Sequence, residues 1–410
     1  MIHNRAKLIS EIERSIGFKI KNRKHCEILS EIIFIKTGLN ISYNTIRRVF
    51  KISKGGEPSV KTLNILSVFC GYASYAEFFS ESRTKNMWGV NQYIFSILND
   101  YPYLAIEKME KSFDDVNNYL HQLISLMREF ALTKQYGLLA RCFNSNLTDP
   151  KRFNYSEILF FGNCIGDLFQ NTQLNILEFT KCKNFRACYF NVYVDYSSLN
   201  SNYGVLLDYY SHNYESGELK LFTDCLIQLR NYFNCKPLNN IETKLQFEEI
   251  HPILYGRLIS INIHTSLKPD KIVSGFFDKI RKNKHAIEYL YEFTFFNIIT
   301  KKFRLIEMTK TYVNKFVVIP QYQEYHYAIF SIVDAILYLN KGVQCNEILL
   351  KLKEVTFFRN SKRDVIELLI SILEYHNFSQ NAQAYESYKT KSKRLGYKLF
   401  DDDYLINFFK

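Results

Sequence analysis

Proline and glycine are scarce in this sequence, at 7 and 15 of 410 residues, which excludes collagen-like, linker-rich and low-complexity chains. The same scarcity argues against a sandwich or barrel, whose many short strands need frequent Gly, Pro and Asn-Gly turns. No stretch approaches the ~18 consecutive apolar residues of a membrane span. The first twenty residues carry charges throughout and no apolar core, so no signal peptide and no membrane are expected, and the chain is placed in the cytoplasm. None of the nine cysteines forms a Cys-x-x-Cys pair, and no two of the nine histidines stand at metal-ligand spacing. No metal site is therefore expected, and cysteines such as Cys70 and Cys164 read as small buried thiols among apolar neighbours. No Gly-rich phosphate loop, nucleophile elbow or kinase signature occurs, so neither an enzyme nor a cofactor is expected. Asp401, Asp402 and Asp403 read as the cap of a last helix over 404–409 rather than as metal ligands. His251 and His264 read as ordinary loop or core residues.

What is present is unevenly spread. Residues 1–85 hold 15 Lys and Arg against 7 acids, a net of +8. The other 325 residues hold 38 against 34, a net of +4. Two-thirds of the excess positive charge thus lies in one-fifth of the chain. Five of the fifteen glycines fall there too, whereas only nine of the 65 aromatics do. These shifts divide the chain into a basic head, 1–85, and an aromatic, nearly glycine-free body, 86–410, joined near residues 80–87.

Punctuation lays out the head as helices. Asn4 is expected to cap a first helix closed by Gly17, and Asn22 a second one closed by Gly38. Ser42 caps a short third helix, from Tyr43 to about Lys51. After a loop at Gly55, Gly56, Glu57 and Pro58, Ser59 starts a fourth helix closed by Gly71. Ser74 and Glu77 form a capping box that opens a fifth. On the third helix, Ile46, Val49 and Phe50 share one side at 100° per residue. Asn44, Arg47, Arg48 and Lys51 share the opposite side. Such a face suits the DNA major groove, since Arg forks onto guanine, Asn onto adenine, and Lys neutralises phosphate.

The stretch from Ile28 to Gly38, then Ile41-Ser-Tyr-Asn-Thr-Ile-Arg-Arg-Val-Phe50, then Pro58-Ser-Val-Lys-Thr-Leu-Asn-Ile-Leu66 and Gly71 to Phe78, resembles the Xre/Cro (lambda repressor-like) helix-turn-helix family. The likeness covers residues 22–80. It implies that Ser42 caps the recognition helix and touches phosphate, that Tyr43, Asn44 and Arg47 face base edges, and that Arg48, Lys51 and Lys54 face the DNA backbone. Thr45 and Lys61 complete the candidate set. The sequence departs from the family pattern in lacking Gln at the start of the motif's first helix and in a longer turn at Gly38-Leu39-Asn40.

The body reads as helix after helix. Amphipathic periods run over 120–130, 158–169, 219–232, 253–263, 286–299, 325–339, 348–355 and, most cleanly, 365–373. Breaks fall at Asp149-Pro150, 236–240, 266–270, Ile319-Pro320 and Lys341-Gly342, and the connections are short, as helical hairpins require. The expected fold class is all-α: a small N-terminal helix-turn-helix domain followed by an α-solenoid of TPR-like helical hairpins, with Phe and Tyr filling its core. That arrangement resembles regulators of the Rgg/PlcR type. The resemblance implies a DNA-binding transcriptional regulator that binds double-stranded DNA through its head. Its body would form a homodimer and bind a peptide or protein effector. The alternative is an interaction scaffold whose vestigial head serves only as the polar cap that a repeat array needs.

Overall fold

The computed structural model describes residues 2–53, 58–78, 92, 98, 102–111, 119–170, 172, 175–214, 216–281, 283, 285–316, 324–354, 362–378 and 381–410. Among the described residues every regular element is helical, and no helix is long and apolar enough to cross a membrane. The chain divides into two compact units, Met1–Cys142 and Phe143–Lys410. The expected head–body join at 80–87 and the break at Ile319-Pro320 lie outside the described residues.

In the first unit, α1 (Ile2–Ile16), α2 (Arg23–Thr37), α3 (Tyr43–Val49) and α4 (Val60–Phe69) follow the punctuation closely. The side chains of Asn22, Ser42 and Ser59 accept the backbone N–H of His25, Thr45 and Thr62, satisfying donors that a helix start leaves open. Gly17, Gly38 and Gly71 all take positive φ at helix ends, a conformation costly for any residue with a Cβ. Residues 75–78 are helical, with Ser74 Oγ accepting from Glu77 N–H and the Glu77 carboxylate reaching back to Ala73 N–H. Two expectations are corrected. α1 begins at Ile2, so Asn4 lies inside its first turn instead of capping it, since no Gly or Pro stops the helix earlier. α3 ends at Val49, because Lys51 turns into the left-handed region at φ 55°. One core cluster ties these helices together, with Leu8, Ile12, Leu29, Ile33, Ile46 and Phe69 fully buried in it.

Further along come α5 (Ala105–Lys111), α6 (Tyr119–Leu132), α7 (Tyr136–Asn144) and α8 (Tyr155–Gln170). α9 (Asn202–Asn213), α10 (Gly217–Phe233), α11 (Pro252–Thr265), α12 (Pro269–Ile280) and α13 (Ala286–Ile299) follow. The order then runs α14 (Phe303–Phe316), α15 (Glu324–Asn340), α16 (Asn346–Glu354), α17 (Arg363–Asn377), α18 (Ala382–Leu395) and α19 (Asp402–Ile406). Every second helix stacks on the next but one: α11 on α13, α13 on α15, α15 on α17. α12, α14, α16 and α18 each flank the helix that precedes them. α13 is buried along its length apart from Glu288, mostly with apolar side chains but with Glu292, Thr294 and Asn297 also enclosed. The last segment is tied back onto the stack, with Tyr404 Oη donating to Ile299 O at 2.7 Å and Tyr397 Oη to Tyr196 O at 2.6 Å.

One stretch departs from helical hairpins with brief connections. Residues 175–201, all described, contain as regular structure a 3-10 turn, Ile176–Lys181, and a π-helical turn, Arg186–Phe190. Beyond its local turns the stretch is tied to the end of α7 and the residue after it: Asn184 N–H donates to Phe143 O at 3.0 Å, Lys183 N–H to Asn144 Oδ1 at 2.9 Å, and Asn184 Nδ2 to Ser145 O at 3.0 Å. The segment lies close against α8, where a Cβ on Gly162 or Gly166 would stand 2.5 Å from Val192 or 2.4 Å from the Tyr193 ring. Phe143, Phe169, Phe179, Phe185 and Tyr189 interlock beneath it with ring centroids 5.0–6.2 Å apart. Two helices of this unit, α11 and α13, approach backbone to backbone. A Cβ on Gly256 would lie 2.2 Å from Tyr289 O, a backbone atom that cannot swing away. Gly256→Ala should therefore force the two helices apart and cost at least about 1–3 kcal/mol. A lowered urea midpoint would reveal it, and an unchanged midpoint would show that the contact yields freely.

Candidate functional site

The surface of α3 places the candidate residues in three groups. Asn44, Arg48 and Lys51 are exposed, as is Ser42 at the helix start. Tyr43, Thr45 and Arg47 are half-buried. Lys61 is exposed on the first turn of α4, and Lys54 lies outside the described residues. Ile46 and Val49 are fully buried, so one side of the helix packs and the other is left for contact. Ser42 spends its hydroxyl on the cap and on Thr45 Oγ1, 2.9 Å away. Ser30 Oγ, donating to Ile41 O at 2.5 Å, fixes the turn that leads into α3.

The expectation that Arg47 projects freely is corrected. Its Nε is buried without a hydrogen-bond partner, and Nη1 donates to Asn44 Oδ1 at 3.3 Å. With Arg48 Nε donating to Asn44 O, also at 3.3 Å, the polar face is held together by its own bonds. Arg47 lies inward because α3 packs on α2, bringing it within electrostatic reach of Cys26. The sequence reading passed over Arg23. Its guanidinium stands 4.9 Å from the Tyr43 ring centroid and pairs with Glu27 at 2.8 Å, steering the tyrosine from the neighbouring helix. Its signal was its place directly after the Asn22 cap, which sets it beside the start of α3. Lys51 closes α3 in a Schellman arrangement: Ile52 N–H donates to Arg47 O at 2.9 Å and Lys51 N–H to Arg48 O at 3.2 Å. A lysine thus occupies a position where glycine is unstrained.

The second unit holds a buried charge cluster that no spacing in the sequence announced. Glu292 on α13 accepts from Arg257 Nε at 3.0 Å and Nη2 at 2.6 Å through one oxygen, and Lys362 Nζ lies 2.6 Å from the other. Tyr196 Oη donates to the same carboxylate and accepts from Arg257 Nη2 at 2.8 Å. All four side chains are at most 6% exposed. Burial alone would push the Glu292 carboxyl up, yet Lys362 and Arg257 beside it hold it down at about 2. Burial pulls the Lys362 ammonium down against the attraction of Glu292, and it raises the Tyr196 hydroxyl well above its ordinary value. Gly256 is what allows Arg257 this reach, since it lets α11 lie directly against α13.

Elsewhere, His251 Nδ1 accepts from Ile253 N–H at the start of α11, and burial lowers the half-buried His264 imidazole to about 4. Asp401 accepts from Tyr404 N–H at 2.8 Å and so caps α19. Among the described residues no group of His, Cys, Asp and Glu could hold a metal ion, and none of the nine cysteines is in a disulfide. No family model, curated protein or solved structure matches the chain.

Lys51→Gly should stabilise the chain by about 1 kcal/mol by removing the left-handed strain, visible as a higher thermal midpoint. A fall instead would mean that the lysine side chain contributes more than its backbone costs. Glu292→Gln should cost about 3–5 kcal/mol by leaving two buried cations without their partner. Because the carboxyl titrates near 2 when folded and near 4.5 when free, its contribution is complete above about pH 4.5 and disappears as pH falls toward 2. The stability difference between wild type and Glu292→Gln should shrink over that window, measured by urea unfolding at a series of pH values.

Proposed function

We propose that this chain is a DNA-binding transcriptional regulator with no catalytic reaction of its own. In this reading a helix-turn-helix head over residues 1–85 sets α3 in the major groove of double-stranded DNA. The body over 86–410 is a TPR-like α-solenoid that forms a homodimer and takes a peptide or other effector. The observation that carries the reading is α3 itself: a seven-residue helix, capped by Ser42 and seated on buried Ile46 and Val49, that turns Asn44, Arg48 and Lys51 to solvent in a strongly basic segment. An exposed amide beside two cations combines base-edge donors and acceptors with phosphate neutralisation. The next-but-one stacking of α11, α13, α15 and α17 supports the solenoid part.

A second reading, an interaction scaffold with a vestigial head, has one observation in its favour. Arg47 and Asn44 are bonded to each other, so part of the reading face is spent internally.

Fluorescence anisotropy of the full chain on duplex DNA separates the two. The regulator should bind mixed-sequence duplex with an affinity that falls steeply as salt rises, and should select a preferred site from random DNA. On that site Asn44→Ala should lose about 1–3 kcal/mol of discrimination, while Arg48→Ala should weaken every sequence alike. No salt-sensitive binding at any concentration would leave the scaffold as the better account.

A further inference from the structure

A cavity of about 520 Å³ opens beside the buried charge cluster, entirely within the second unit. Its wall is largely apolar, with Ile158 and Leu159 from α8, Leu219 and Phe222 from α10, and Ile253 and Leu254 from α11. Three cations stand in that wall: Arg186, which opens the π-helical turn, Arg257 and Lys362. Glu218 is the acid in the wall, and Glu292 lies behind it, bound to Arg257 and Lys362. The cavity and its backing thus hold three positive charges against two negative.

The excess has a specific location. Arg257 is 2% exposed, and its Nε and Nη2 are both engaged by Glu292 and Tyr196. Its Nη1 has no hydrogen-bond partner. A buried guanidinium N–H without an acceptor is unfavourable, and the group that satisfies it best in an apolar surrounding is a carboxylate. The Phe222 ring, 5.7 Å from Arg257 Cζ, is half-buried in the same wall.

We propose that this cavity binds an apolar molecule through one free carboxylate, with the head group on Arg257 Nη1 and Arg186 and the apolar body along α10 and α11. Two sources supply that chemistry, a fatty acid and the C terminus of a short apolar peptide. The site stands apart from the DNA-binding reading, since it needs nothing from the head, although it gives the effector part of that reading a chemical identity.

Calorimetry on the full chain tests it with four probes: decanoate, decanamide, and an apolar tripeptide with either a free or an amidated C terminus. At least one free acid should bind saturably, and its amide should bind about tenfold or more weakly. Decanoate alone would assign the fatty-acid source, and the free-acid peptide alone the peptide source. Arg186→Gln should weaken the acid by about tenfold and leave the amide unchanged. Leu219→Trp should fill the cavity and abolish binding without lowering the thermal midpoint. Failure of both acids to bind overturns the proposal. So does equal binding of acid and amide, or binding that Leu219→Trp does not alter. Salt-sensitive DNA binding is measured separately and is unaffected by any of these results.

Discussion

The second unit depends on a contact that has almost no side chain in it. Gly256 lets the backbone of α11 lie against that of α13, where a methyl group would stand 2.2 Å from Tyr289 O. Once the helices are that close, Arg257 at the next position reaches Glu292 on α13, and Lys362 closes the cluster from the start of α17. The ions are costly to desolvate, so such a cluster contributes less to stability than to specificity. It holds three separate elements in one register, because any slip would leave a buried charge alone. The cavity, the α11–α13 stack and the placement of Tyr196 all follow from that register.

Much of the first four helices could be read from the sequence because their ends are written in local chemistry. A side-chain oxygen before each start, or a glycine able to take positive φ after each end, acts over three or four residues. Ser42, Ser59, Gly17 and Gly38 therefore located their helices closely. Where the deciding interaction is longer in range, reading failed. Arg47 was expected outward from its angle on α3, but α2 lies close enough to bury its Nε. Lys51 was taken as helical because nothing about a lysine signals a left-handed turn.

The body shows the same division. Amphipathic windows marked α6, α8, α10, α11 and α17, whose buried faces repeat at helical spacing. α18 was missed, since its mostly polar sequence leaves only Ala384, Tyr388 and Leu395 buried. Residues 175–201 were missed for a different reason: they are tied to Asn144 and Ser145 through Lys183 and Asn184, pairings across about forty positions that no local pattern displays. The buried cluster was invisible for the same cause, as Tyr196, Arg257, Glu292 and Lys362 are scattered over 167 positions. As for the exposed side of α3, the helix and its cap were readable, whereas the Arg47–Asn44 bond and the Arg23–Tyr43 stacking needed the packing of α2 on α3.

Native-state hydrogen exchange on the full chain tests most directly whether the α11–α13 contact holds the second unit together. If it does, the backbone amides of α11 and α13 exchange only through global unfolding and are the slowest in the unit, while those of α18 open earlier. If the amides of α11 and α13 exchange by local opening, at rates like those of α18, the register is set elsewhere and the account is wrong.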